Sequence, residues 1–162
     1  MRTATPNEIN ARNQSVIAEF RANGGQLDGR MAGTPLLLLH TVGARTGRQR
    51  VNPLVYQDLG GGAVAVFAAK EGAPSHPDWY RNLLANPDVT VEIGTNVGAF
   101  RARTASGAEC DRIWANQRAT LPRIDDMQAR TKRAIPVVVL EPVDRTSRDR
   151  LSGSPHVVSG GT

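Results

Sequence analysis

Three apolar stretches crowd into 35 residues: "LLLLHT" (36–41), "RQRVNPLVYQDL" (48–59) and "AVAVFAAK" (63–70). Only "GARTG" and "GGG" separate them. Connections that short cannot hold a crossover helix, so the runs must fold back as antiparallel neighbours. Pro53 cannot donate a ladder hydrogen bond and marks an edge or a bulge. A second pair, "VTVEI" (89–93) and "VGAFRART" (97–104), alternates with period two about a "GTN" turn. "IPVVVLEPV" (135–143) supplies the last strand.

Helical signals lie between these runs. Residues 7–22 place Ile9, Val16, Ile17 and Phe20 on one face, and "NGG" stops that helix. "DWYRNLLAN" (78–86) follows Pro77, which suits a first helical position, with Ser75 or His76 near the cap. Ser106 and Glu109 have capping-box spacing before a helix at about 107–119 that turns Ile113 and Trp114 inward. Residues 123–134 place acids early and bases late, as the helix dipole prefers. The order α-β-β-β-α-β-β-α-α-β predicts a mainly β, α+β chain: one antiparallel sheet curled into a barrel, with helices over its openings. Residues 1–25 read as an N-terminal helix, 26–143 as the barrel domain, and 144–162, poor in anything to bury, as a disordered tail.

Composition narrows the chemistry. Cys110 is the only cysteine, which excludes a disulfide framework and a cysteine metal site. His40, His76 and His156 have no metal-ligand spacing. Asp125 and Asp126 are adjacent, so their carboxylates diverge. No nucleophile elbow, phosphate loop or dinucleotide glycine pattern occurs. The first ten residues lack the apolar core of a signal peptide, and no run approaches a membrane span, so a cytoplasmic protein is expected. The net charge is +5, carried by arginine except at Lys70 and Lys132. Nucleic acid is a poor fit, since aromatics are 4% and no basic recognition helix appears.

The densest feature is "TVGARTGRQRVNP" (41–53). Arg48 and Arg50 lie two apart on a strand, and Arg45 approaches from the other side of the turn. Gly43 and Gly47 let backbone N–H groups approach an anion. A solvated hairpin tip is the competing reading. Lys70 returns toward these arginines if the second and third strands pair. In "HPDWYRNL", Trp79 and Tyr80 either wall a flat ring or simply pack a helix on the barrel.

Three segments, "TGRQRVNPLVY", "AAKEGAPSHPDWYRNLLANP" and "IPVVVLEP", together resemble the deazaflavin (coenzyme F420)-dependent nitroreductase family of actinobacteria, over about residues 30–143. The resemblance implies a split β-barrel of the FMN-binding type that holds coenzyme F420 in a basic groove. Carried over position by position, it implies that Arg45, Thr46, Gly47, Arg48, Arg50 and Lys70 meet the phosphate and acidic tail. Val51, Asn52, Pro53, Leu54, Ala68 and Ala69 would line the ring, and Pro77, Trp79 and Tyr80 would complete the groove. The substrate pocket would comprise Val55, Ala69, Leu121, Ile124 and Met127. These replace hydroxyl-bearing residues of nitroimidazole-reducing members, so a quinone or activated enone suits the pocket better than a nitro compound.

The implied reaction is two-electron hydride transfer, with backbone N–H groups near Ala68–Lys70, or a water, facing the charge that develops on the acceptor. No dedicated side-chain acid stands out, and Tyr56 and Tyr80 are the side-chain candidates. FMN is the alternative cofactor, and a non-catalytic cofactor carrier is an alternative of another class. A homodimer and peripheral membrane contact through the N-terminal helix also stay open as partners.

Overall fold

The computed structural model describes residues 5–143, with Pro6, Asn7, Ile9 and Arg30 described by backbone alone. The expected tail, 144–162, lies outside the described residues. The chain runs α1 (Pro6–Ala22), β1 (Leu36–Val42), β2 (Gln49–Val55), β3 (Gln57–Gly60), β4 (Ala63–Phe67), α2 (Asp78–Ala85), β5 (Asp88–Ile93), β6 (Asn96–Thr104), α3 (Gly107–Thr120), α4 (Arg123–Ala129) and β7 (Val137–Pro142). Short 3-10 turns occupy Gly29–Met31 and Lys70–Gly72.

The strands form one antiparallel sheet in the order β2-β1-β5-β6-β7-β4-β3. β2 and β3 hold its two opposite edges, yet only Tyr56 separates them in the chain. The sheet must therefore curl until its edges meet, which makes a barrel. This corrects the single strand expected at 48–59. That strand changes neighbours at Tyr56, pairing with β1 before it and β4 after it.

Alternation sorts the barrel's side chains. Leu37, Leu39, Val64, Val66, Val138 and Leu140 fill the interior, plugged by Trp79, Tyr80 and Leu83 of α2. Leu36 and Leu38 point the other way and bury Ile17 and Phe20 of α1. Each such apolar side chain contributes about 1.5–3 kcal/mol when fully buried. α1 is also pinned by charge. The Glu92 carboxylate, buried on β5, accepts from Arg21 at 2.7 and 3.2 Å and contacts His40 Nε2 at 2.5 Å. The Arg21 guanidinium, helped by His40, holds that carboxyl below its ordinary range.

Several element ends differ from expectation for local reasons. The helix at 123–134 stops at Ala129, because the residues after it turn back to clamp the end of β4. The third strand stops at Phe67, and Lys70 opens a 3-10 turn. Ser106 makes no capping hydrogen bond; Glu109 is drawn instead into a two-pronged pair with Arg103 at 2.6 and 2.8 Å. Pro77 is the N-cap of α2, one place before the expected first helical position. Among the described residues no helix is long and apolar enough to cross a membrane.

Candidate functional site

The β1–β2 hairpin is zipped from Leu36 opposite Val55 to Val42 opposite Gln49. Beyond it the turn is compact. Gly43 N–H donates to Arg48 O at 2.7 Å, and Gly47 N–H donates to Gly43 O at 2.9 Å. Arg48 N–H donates to Thr46 Oγ1 at 3.2 Å. A Cβ on Gly43 would lie 2.7 Å from that Thr46 oxygen, and Gly47 holds φ +72°. Glycine is thus required twice within five residues.

The turn presents Arg45, Arg48 and Arg50 to solvent. Among the described residues none of the three has an ion-pair partner, whereas Arg21, Arg81, Arg101, Arg103 and Arg118 each hold a carboxylate. No acid occurs between Asp28 and Asp58. The hairpin is therefore a concentration of positive charge with no ion-pair partner among the described residues.

Register places these residues. Arg50, Asn52 and Leu54 lie opposite Thr41, Leu39 and Leu37, so they share the face that lines the barrel interior. Val51, Pro53 and Val55 lie opposite His40, Leu38 and Leu36, on the face beneath α1. Residues 51–54 thus do not form one surface; the strand deals them to two.

A residue the sequence reading passed over holds the turn in place. Asn82 of α2 is buried, accepts from Ala44 N–H at 3.0 Å and donates to Thr41 Oγ1 at 3.2 Å. Its signal was a polar side chain on the inward stripe of an otherwise apolar helix face. Asn82→Ala leaves both partners without their bonds and should cost about 1–3 kcal/mol. Thermal unfolding and hydrogen exchange at Ala44 check this: the melting temperature should fall, and the Ala44 amide should exchange faster. Trp79 and Tyr80, on the same helix, are buried in the barrel core, their rings 6.4 Å apart and perpendicular. The Tyr80 hydroxyl is 3.1 Å from Thr104 Oγ1.

The other wall is the end of β4. Ala68 and Ala69 are buried, and Lys70, Glu71 and Gly72 follow with φ of 47°, 54° and 82°. The β3–β4 ladder starts at Gln57 opposite Ala65 and β4 stops at Phe67, so β2 before Tyr56 and the corner after Phe67 lie outside it. The two segments do not join in a ladder, and the barrel is split there. Lys70 is exposed, with no ion pair among the described residues. The N–H groups of Ala69 and Lys70 also have no acceptor among them. A buried residue such as Ala69 rarely leaves its N–H without a partner.

Behind this corner, Ala69, Ile124 and Ile135 form one cluster with Met127, Phe67 and Trp114 at its margin. Ala69, Ile124 and Met127 are thereby brought together. Leu121 ends α3, half-buried, and Val55 belongs to the α1 cluster. Arg133, also unremarked in the sequence, donates to the carbonyls of Ala68, Ala69 and Ala73 at 3.1, 2.8 and 2.9 Å. It lies 3.0 Å from His76 Nδ1, which must then be the acceptor. Burial, then the charges of Arg133 and Arg81, push His76 below the ordinary histidine range. Burial, with Asp111 and Glu109 nearby, raises the Cys110 thiol, so it is not an activated nucleophile. No metal-binding group of His, Cys, Asp and Glu occurs among the described residues.

Residues 12–142 match the sequence pattern of a family described as F420H(2)-dependent quinone reductase. The chain is 39% identical over 128 residues to a Mycobacterium tuberculosis protein named F420H(2)-dependent quinone reductase, covering 76% of this chain and 85% of that one. A solved structure described as an F420-H2 dependent reductase superposes with TM-score 0.60 at 37% identity, over 66% of this chain and 94% of that one. Another, described as a domain-swapped dimer, gives 0.62 at 32% identity, over 85% and 100%.

Proposed function

The chain belongs to the F420H(2)-dependent quinone reductase family, and on that premise we propose that it reduces quinones with coenzyme F420. The observation that carries this reading to a place on the molecule is the unneutralised turn of Arg45, Arg48 and Arg50 at the open, split side of the barrel. The residues present suit the cofactor. A phosphate and carboxylates need cations free of other partners, and ring carbonyls need N–H donors. The three arginines, Lys70 and the N–H groups of Ala69 and Lys70 supply both.

In this assignment Arg45, Thr46, Gly47, Arg48, Arg50 and Lys70 hold the anionic part. Asn52, Leu54, Ala68 and Ala69 flank the ring. Val51, Pro53, Pro77, Trp79 and Tyr80 back those walls from the buried side. When bound, the reduced cofactor supplies a hydride, two electrons at once. The protein contributes position and charge. Leu121, Ile124 and Met127, with Ala69, offer an apolar surface to a flat quinone and exclude water. Val55 joins them from the far face of its strand only by shaping β2. With the N–H groups of Ala69 and Lys70 given to the cofactor's ring carbonyls, a water is the donor for the negative charge that grows on the acceptor oxygen. A second copy of the chain is the proposed partner, since one related structure is a domain-swapped dimer. Peripheral membrane contact would have to use the outer side of α1, whose Ile17 and Phe20 are already buried on the barrel.

Fluorescence titration with oxidised F420 and with FMN, at low and high salt, tests the reading. F420 should bind at micromolar affinity or tighter, FMN more weakly, and added salt should weaken both. Turnover with reduced F420 and a naphthoquinone should follow. Tight FMN binding without F420 binding would place the chain among flavin proteins of this fold. Binding of neither would return the arginines to a solvated surface.

A further inference from the structure

Pro136 lies where β7 meets the end of β4. The β4–β7 register runs from Val64 opposite Leu140 to Phe67 opposite Val137, and its next step sets Ala68 opposite Pro136. Ala68 N–H donates to Pro136 O at 2.9 Å. Proline has no N–H to return, so the Ala68 carbonyl loses its ladder donor. Arg133 replaces it at 3.1 Å and also takes Ala69 O and Ala73 O. No carboxylate touches this guanidinium among the described residues. A partly buried arginine spent wholly on carbonyls and one imidazole is unusual, because such a charge is ordinarily balanced by an anion.

The peptides it grips have a second property. Their opposite ends are the N–H groups of Ala69 and Lys70, which have no acceptor among the described residues. A cation on a peptide oxygen polarises that peptide and makes its N–H a stronger donor. Three carbonyl contacts in a planar fork also fix the left-handed corner from which Lys70 extends.

We propose that Arg133 is a positioning residue of the cofactor site, acting through the Ala68 and Ala69 peptides to set and strengthen the Ala69 and Lys70 N–H donors and to aim Lys70. This rests on the cofactor reading given above. Arg133 itself touches neither cofactor nor acceptor.

The test combines hydrogen exchange on the cofactor-free protein with F420 titration of Arg133→Gln, Arg133→Lys, Lys70→Ala and the double variant Lys70→Ala, Arg133→Gln. Arg133→Gln should speed exchange within residues 69–73, read at Gly72 and Ala73, whose N–H groups donate to Ala69 O and Lys70 O, while the amides of β5 and β6 keep their protection. It should weaken F420 binding about tenfold. The double variant should be well short of the product of the two single effects, because Arg133 and Lys70 act through one corner. Arg133→Lys keeps the charge and the stem but not the fork, and should recover only part of the affinity. It also reports on the corner if Arg133→Gln fails to fold.

Unchanged exchange at 69–73 beside normal F420 binding by the wild type overturns the proposal alone. Multiplicative losses in the double variant overturn it too, by making Arg133 a general support. Faster exchange in a protein whose wild type binds no F420 overturns the cofactor reading, and this proposal with it.

Discussion

Replacing Arg45 and Arg48 together by alanine should weaken F420 binding about a hundredfold or more and leave the melting temperature unchanged or slightly higher. A hydrogen bond to a charged group is worth about 1.5–3 kcal/mol, and solvent exposure at the turn favours the lower end for each arginine. Two such losses come to about 3 kcal/mol, or slightly more than two powers of ten. Stability should not suffer, because neither side chain has an ion-pair partner among the described residues and both are exposed. Removing two of three neighbouring like charges relieves repulsion. Titration by fluorescence and a thermal melt read both halves. Unchanged affinity would move the cofactor away from the hairpin. A large fall in melting temperature would mean that the arginines support the turn itself.

Gly72→Ala should be the most damaging single methyl in the site. Gly72 holds φ +82°, and an added Cβ would lie 2.7 Å from Met127 O and 2.8 Å from Arg130 Cβ. The left-handed backbone costs a β-carbon about 1–3 kcal/mol, and the overlap with α4 adds a similar amount. These neighbours include a helix carbonyl, which cannot swing aside as a side-chain tip can. The corner must then either strain or lift away from α4, taking with it the Arg130 contact to Glu71 O at 3.2 Å. The expected outcome is a loss of about 3 kcal/mol or more in chemical denaturation. F420 affinity should fall as well, since Lys70 is two residues away. A stability change below about 1 kcal/mol would mean that the corner has slack the structure does not show.

The parts of this molecule legible in its sequence are those set by local pattern. "LLLLHT" is too short and too apolar for anything but a buried strand, and "GARTG" is too short for anything but a hairpin. The glycines of the arginine turn could be read because a tight hairpin tip favours them, Gly47 for its positive φ and Gly43 for its closeness to the Thr46 hydroxyl. The break at Tyr56 was not legible. No glycine or proline marks the chain between Leu54 and Leu59, and what changes there is the neighbouring strand, which no local signal encodes. Glu109 stood at capping distance from Ser106, but Arg103, across the strand end, offered it two charged contacts instead. Asn82 and Arg133 were missed for a related reason. Asn82 accepts from a backbone N–H 38 residues away and Arg133 donates to a backbone carbonyl 65 residues away, and a backbone partner has no signature in a sequence. The family segments named residues 51–54 as one lining, yet register divides them between two faces, which a motif written as a string does not reveal.

The long bent strand has one more consequence. Over residues 49–55 it is hydrogen-bonded to β1 on one side, and on the other it offers the row of N–H and C=O groups that lets sheets of separate molecules stick together. Pro53 deletes one N–H from that row, and Arg48 and Arg50 surround its open end with charge. Two copies approaching edge to edge would bring their arginines together. The same arginines that we assign to the cofactor thus disfavour edge-to-edge pairing of cofactor-free copies, and alanine variants made to abolish binding should be checked for aggregation.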